Sequence, residues 1–449
     1  MKLARLLIGF ALTLVVAATA PAQSGRDLRL ALTGDSILTQ RLSVYEEPEY
    51  LRLVALIRDA DAAFTNCEML FHNYEAPAAP LSGGTWMAAP PGLAREFAWM
   101  GFDLVSTANN HAFDYGAEGL ANTLKALAEA GLAAAGTGEN LARARAPAYF
   151  ETRNGRVALV AAASTFPAIA PAGEQRQDLR GRPGVSPLRH GAIYYLDAEN
   201  FAALAGLKRA LGMNDEGETA DRLEFLGEEF RLGEPPRVET RADTDDLAEI
   251  AAAVREARRQ ADWVIVSLHA HESGESHELP ADFVVAFARA MVEAGADVVV
   301  GHGPHRLRGI EIYKGRPIFY SLGNFVFQNE TVAFLPAEMY RQYGLESHRG
   351  PADLYDARTE NDRVGFPAHP VYWESVAAEV LFAGGRLEEV RLYPIVLGHG
   401  QPRPQRGRPV LATGAQGEEI LGRLAELSKP FGTAVDVRDG VGRVRLPSR

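Results

Sequence analysis

The chain has 449 residues, 47% of them apolar, with 58 acidic against 46 basic side chains and a formal net charge of -12. So acidic a chain is not built to hold nucleic acid through a basic surface, and so apolar a one is not intrinsically disordered. The single cysteine, Cys67, excludes an intrachain disulfide and a cysteine-rich metal site, which leaves His, Asp, Glu and Asn as metal ligands.

Lys2 and Arg5 precede an apolar run over 6–18, broken only by Thr13, and Ala18-Thr19-Ala20 and Ala20-Pro21-Ala22 offer small residues to a signal peptidase. Residues 1–22 therefore read as a cleaved signal peptide, and the mature protein as periplasmic or extracellular. An uncleaved N-terminal membrane anchor is the alternative, although a span takes about 20 apolar residues. No cysteine stands at the end of the run, which excludes a lipoprotein anchor.

From Asp27 the sequence reads as repeated strand, loop and helix. A strand is expected over 27–33, ending at Gly34-Asp35, then a helix over 50–59. A short strand over 61–65 ends at Asn66-Cys67-Glu68, and a helix covers 92–100. A strand over 102–107 opens into Ala108-Asn109-Asn110-His111, and a helix over 116–130 stops at Gly131. Asn154-Gly155 predicts a hairpin between 148–152 and 156–162. The stretch 166–245 lacks a steady period and reads as an insertion with helices over 197–211 and 219–230, placed to cover the site. The rhythm returns with a helix over 246–259, a strand over 263–268 ending at His269, a helix over 281–294, and a strand over 297–300 ending at Gly301-His302. Hairpins are expected over 309–320, across Lys314-Gly315, and over 375–393, across Gly384-Gly385. Between them 329–370 reads as loop-rich, and a last helix is expected over 420–427. Residues 27–449 thus form one α/β domain with one insertion.

Five strand ends carry residue types that bind divalent metals: Asp35; Asn66 and Glu68; Asn109, Asn110 and His111; His269; and His302 with His305. Singly, each is ordinary, since an Asp after a strand caps a helix or forms a turn, and a lone His is a hydrogen-bonded surface or core residue. Their recurrence at one topological place points to a ligand site, because open α/β sheets bind ligands at the carboxyl ends of their strands. A two-metal centre needs a bridging carboxylate, several imidazoles and usually an amide oxygen. Asp35 or Glu68 can bridge, Asn109 or Asn110 can supply the amide, and His269, His302 and His305 the imidazoles. His111 is either a ligand or a general acid, and Asp114, three residues on, is placed to orient it.

The segments Thr33-Gly34-Asp35, Asn66-Cys67-Glu68, Ala108 to Gly116, Gly301-His302-Gly303-Pro304-His305 and Gly309 to Phe325 closely resemble the CapA family of bacterial capsule-synthesis, or poly-gamma-glutamate-synthesis, proteins. The resemblance runs from Leu28 to the end of the chain, apart from 166–245 and 329–370. It implies a calcineurin-like metallophosphatase fold, a four-layer α/β/β/α sandwich of two packed mixed sheets flanked by helices. In that superfamily two metals are held by motifs that Asp35, Asn110 with His111, His269, and His302 with His305 match in order, while Asn66 and Glu68 stand at the family's Asn-x-Glu element. The resemblance thus implies two divalent ions (Mn, Fe or Zn) on Asp35, Glu68, Asn110, His269, His302 and His305. His111 and Asp114 are then catalytic, and Asn66, Asn109, His271, Glu272, Arg306 and Asn324 face the substrate. Two departures stand out. Gly303 replaces a third histidine of the family's segment, and His269-Ala270-His271-Glu272 replaces its usual His-Trp-Gly, so His271 and Glu272 either compensate as ligands or reshape the pocket.

Arg306 and Arg308 flank His305 and can hold an anionic group, and Glu374 can reach the site. His72, His190, His277, His348, His369 and His399 are expected at the surface. The function expected is that of a secreted metal-dependent hydrolase acting on an anionic cell-envelope polymer or ester and linked to capsule or poly-gamma-glutamate metabolism. A non-catalytic polymer-binding or export factor with a structural metal is the alternative. The expected partners are an anionic small molecule or polymer and a membrane-bound polymer-synthesis complex, with no nucleic acid.

Overall fold

A computed structural model describes residues 27–213, 218–346 and 348–446. The signal sequence expected over 1–22 lies outside them. Strand Leu28–Ile37 is buried along almost its whole length because it has neighbours on both edges and both faces. It pairs in parallel with Ala62–Cys67 and antiparallel with Glu374–Ala383. Leu104–Ser106 and Ala133–Ala135 extend this ten-stranded mixed sheet in parallel. A second, six-stranded sheet has a parallel centre of Gly155–Ala163, Trp263–His269, Val298–His302 and Arg316–Leu322. Antiparallel strands Ala148–Thr152 and Leu307–Tyr313 close its two edges.

The period-two alternation of side chains sorts the core. Leu30, Leu32, Phe64 and Val380 of the larger sheet share one buried apolar cluster with Leu159, Ile265, Val298 and Val300 of the smaller. The intervening residues Ala31, Ala63 and Val105 pack with Tyr50, Leu53 and Phe97, which lie on helices Pro48–Arg58 and Ala94–Met100. On the smaller sheet Val160, Val264 and Val299 pack with Val254, Phe283 and Phe287, from helices Thr244–Gln260 and Asp282–Ala294. Among the described residues no helix is long and apolar enough to cross a membrane.

The segment 166–245 departs from expectation. It carries a four-stranded sheet in the order Arg222–Phe225, Glu228–Leu232, His190–Leu196, Arg237–Ala242, together with helix Ala198–Ala210. The helix expected over 219–230 is instead an antiparallel hairpin, turned by Leu226 and Gly227 at φ 54° and 86°. The loop-rich stretch 329–370 holds helices Ala337–Gln342 and Pro351–Thr359.

Asp246 ties this periphery to the core. Its buried carboxyl group accepts from the Arg189 backbone at 2.9 Å, from Arg189 Nε at 2.7 Å and Nη2 at 2.8 Å, and from Arg145. Burial alone would raise its pKa, but the Arg189 hydrogen bonds outweigh burial and hold it below the ordinary value. Asp246→Asn leaves buried Arg145 with only the half-exposed Glu249, so the expected loss is about 3 kcal/mol, the low end for a broken buried pair. The unfolding midpoint in denaturant at neutral pH measures it. Because the folded pKa is depressed, this contribution is complete above the unfolded value of ~3.9 and disappears as pH falls through the folded value. The variant should lack that part of the acid dependence.

Candidate metal centre

Parallel pairing brings the strand ends together in register. Asp35 stands opposite Asn66 on one side and Asn324 on the other, and His269 stands opposite His302. The approach of strand Leu28–Ile37 to Gly323 requires glycine at position 34, since a Cβ there would lie 1.8 Å from the Gly323 carbonyl oxygen. The next amide, Asp35 N–H, donates to that same oxygen at 3.0 Å.

The Asp35 carboxyl group is held from both sheets. Asn66 Nδ2 donates to Oδ1 at 2.8 Å, and the Gly303 amide donates to Oδ2 at 2.9 Å. His302 Nδ1 lies 3.5 Å and His269 Nδ1 3.7 Å from Oδ1, while His305 Nδ1 lies 3.6 Å from Oδ2. On the far side Glu68 Oε1 lies 3.8 Å from His269 Nε2 and 3.6 Å from His305 Nε2. His269 Nε2 also lies 2.9 Å from His271 Nε2. Two sets of donor atoms result, each within 4.8 Å: Asp35, His269 and His302; and Glu68, His271 and His305.

These groups can hold a metal, and Glu68 is the test. Both of its carboxyl oxygens are buried without a hydrogen-bond partner, as is Asn110 Oδ1. A buried, unpartnered carboxyl group costs stability unless a cation compensates it. Burial, and then the charge of Asp35, push the Glu68 carboxyl well above its ordinary range. Burial lowers the imidazoles: His302 to about 4, His271 to about 3, and His269 well below its ordinary value. Neutral imidazoles with free lone pairs are the form that binds metal.

Neighbouring side chains fix the donors. Ser267 Oγ lies 2.6 Å from His302 Nε2. Asn324 Oδ1 lies 2.8 Å from His305 Nδ1, and its Nδ2 donates to the His305 carbonyl at 3.2 Å. That grip holds His305 at φ 56°, a left-handed conformation costly outside glycine. Buried Arg308 donates to the His271 carbonyl at 3.3 Å and to Ser273 Oγ at 3.0 Å, and burial lowers its pKa to about 10. Glu272 accepts from Ser164 Oγ and Thr165 Oγ1 at 2.7 and 2.8 Å, and Thr165 Oγ1 accepts from the His271 amide at 2.9 Å. Burial would raise the Glu272 carboxyl, but hydrogen bonds from His190, Ser164 and Thr165 hold it at about 2. His111 Nδ1 sits 2.7 Å from Asp114 Oδ2, and Asp114 is itself anchored by the amides of Gly83 and Met87 at 3.1 and 2.8 Å.

A cleft of about 340 Å³ opens over the donors and is lined by Asn110, His111, His271, His305 and Arg306. Asn66, Asn109 and Asn324, assigned to substrate in the sequence, are buried beneath it, where they bond to Asp35, Asn66 and His305 respectively. Glu272 braces the His271 loop from behind. The Glu374 carboxyl group is engaged by Arg423. His72 is fully buried against Tyr115 at 4.3 Å between ring centroids, not at the surface. The far wall of the cleft comes from Arg358 and Phe366, within 329–370, and from Tyr372 just after it, and none of the lining residues belongs to 166–245. Neither Arg358 nor Tyr372 belongs to a motif that would have marked it.

Residues 29–329 match the family model described as bacterial capsule synthesis protein PGA_cap. The chain belongs to this family. An uncharacterized protein of Sinorhizobium fredii, y4sH, is 38% identical over 431 residues, 93% of each chain. The capsule biosynthesis protein CapA of Bacillus anthracis is 32% identical over 227 residues, 51% of this chain and 40% of that one. A probable polyglutamine synthesis accessory protein of Mycobacterium tuberculosis is 30% identical over 225 residues, 50% of this chain and 45% of that one. All the donor residues of this PGA_cap chain fall inside the matched span.

After chelation, Mn²⁺ or Zn²⁺ should restore a higher melting temperature, by about 2.7 kcal/mol of stabilisation at a hundredfold excess over Kd. Glu68→Gln and His302→Ala should each carry less metal by elemental analysis. Full metal content in both variants would rule out this ligand set.

Proposed function

We propose that this chain is an exported metal-dependent hydrolase acting on an anionic polymer or ester of the cell envelope, within capsule or poly-gamma-glutamate metabolism. The observation that carries the reading is the buried Glu68 carboxyl group, unpartnered and ringed by imidazoles. The apolar N-terminal run supports export, and the shared apolar cluster between the two sheets supports a calcineurin-like, four-layer α/β/β/α arrangement of residues 27–449.

In this reading two divalent ions, Mn, Fe or Zn, are held by Asp35, His269 and His302 and by Glu68, His271 and His305, with Asn110 Oδ1 completing the set. His271 replaces the histidine absent at position 303. Gly303 has φ 114°, and a Cβ there would lie 2.9 Å from His271 Cδ2, so the imidazole of His271 already fills that place. Divalent cations supply stabilisation for developing oxyanion charge and make water a usable nucleophile near neutral pH.

The chain's own residues do the rest. Asp114 holds His111 by Nδ1, which leaves Nε2 to donate a proton to the leaving group. Arg308 and Glu272 keep the His271 loop in place. The second reading, a non-catalytic factor with a structural metal, is favoured by the likeness to the mycobacterial relative, a probable polyglutamine synthesis accessory protein.

With Mn²⁺ or Zn²⁺ bound, the protein should hydrolyse phosphodiester or peptide-like model substrates. His111→Gln should lower kcat by roughly 10²–10⁴ at unchanged metal content. An absence of turnover across both substrate classes, with metal shown to be bound, would leave the structural reading.

A further inference from the structure

The residues lining the cleft include Arg306, Arg308 and Arg358 and no carboxylate, in a chain where acidic residues outnumber basic ones. Arg308 is spent on the His271 loop. Arg306 and Arg358 form no ion pair among the described residues, unlike the nearby Arg403 and Arg406, which pair with Glu330, Asp356 and Asp362. Both are half-buried and held in place. The Arg306 guanidinium lies 5.4 Å over the Tyr372 ring, and Arg358 donates to Thr85 Oγ1. Each guanidinium has five N–H donors, so most remain free for a ligand.

The cleft also continues. A second cavity of about 360 Å³ shares Asn329, Arg358, Phe366 and Tyr372 with the first and runs on past Thr359 and His369. Its one acidic lining residue, Glu330, is already neutralised by Arg406. Arg358 thus stands at the junction of the two.

We propose that Arg306 and Arg358 form an anion-recognition subsite for a non-reacting group of an extended, multiply anionic substrate, which runs from the donor cluster past Arg358 into the second cavity. The subsite names the substrate class for the hydrolase reading and rests on it for the reaction, but not for binding. The recognised group is a carboxylate or a phosphate, since the guanidinium fork suits both.

Anisotropy titrations of fluorescent tetraglutamate, tetraphosphoserine and tetraglutamine peptides against the metal-loaded full chain test the subsite without any need for turnover. Tight binding of tetraglutamate assigns carboxylate, and tight binding of tetraphosphoserine assigns phosphate. R306Q and R358Q should each weaken the bound anionic peptide at least fivefold at unchanged metal content. R358K, which keeps the charge but loses the fork, should fall between wild type and R358Q and covers the case in which R358Q fails to fold. The subsite is overturned if neither anionic peptide binds, if tetraglutamine binds as tightly, or if R306Q and R358K both bind like wild type. Binding that depends on the arginines with no hydrolysis of any substrate would remove the hydrolase reading and keep the subsite.

Discussion

The site depends on one buried carboxyl group held from two sheets. Asp35 takes a side-chain amide from Asn66 in the larger sheet and a backbone amide from Gly303 at the end of a strand in the smaller one. Beside it, strand Leu28–Ile37 passes Gly323 closely enough to exclude any side chain at position 34. The sheet pairing, the place of His302 and the left-handed His305 all converge on that contact. Asp35 is therefore a joint of the fold as well as a donor, and its substitution would confound metal loss with misassembly. Glu68 and His302 separate the two roles better.

The electrostatics around this joint suit a cation. Burial and the charge of Asp35 disfavour the ionised form of Glu68, and burial disfavours the charged imidazoles that face it. A purely structural cluster would be expected to satisfy Glu68 with a hydroxyl or an amide. Such donors lie close by, yet Ser267, Asn66 and Asn324 are committed to His302, Asp35 and His305. The neighbours are used to orient the donors and not to neutralise them, which is the division of labour expected around a metal.

The strand-end positions of Asp35, Glu68, His269, His302 and His305 were legible in the sequence because parallel strands deliver their carboxyl ends to one edge. The elements themselves were legible wherever apolar periodicity was strong, as in Pro48–Arg58, Thr244–Gln260 and Asp282–Ala294. Charged strands were not, and the hairpin of Arg222–Phe225 and Glu228–Leu232 turns on a leucine at positive φ that no turn rule selects. Asn66, Asn109 and Asn324 were located, but whether an amide touches substrate or a neighbouring ligand is decided by tertiary packing. Arg358 had no local signal, since its helix earns its position from Leu354 and Tyr355, buried against other parts of the chain.

That contrast divides the molecule. Every donor residue lies within the span matched to the family, which ends at 329, whereas Arg358, Phe366 and Tyr372 lie beyond it. Asp35, His269 and His302 sit on strands, and Glu68, His271 and His305 within a few residues of strand ends, while the opposing wall rides on short helices and loops. In the proposed reading, chemistry at the strand ends is set by the sheets, and selection among anionic substrates falls to the wall. On the donor side His271 belongs to the loop that follows strand Trp263–His269, and its imidazole stands where a side chain at position 303 would reach.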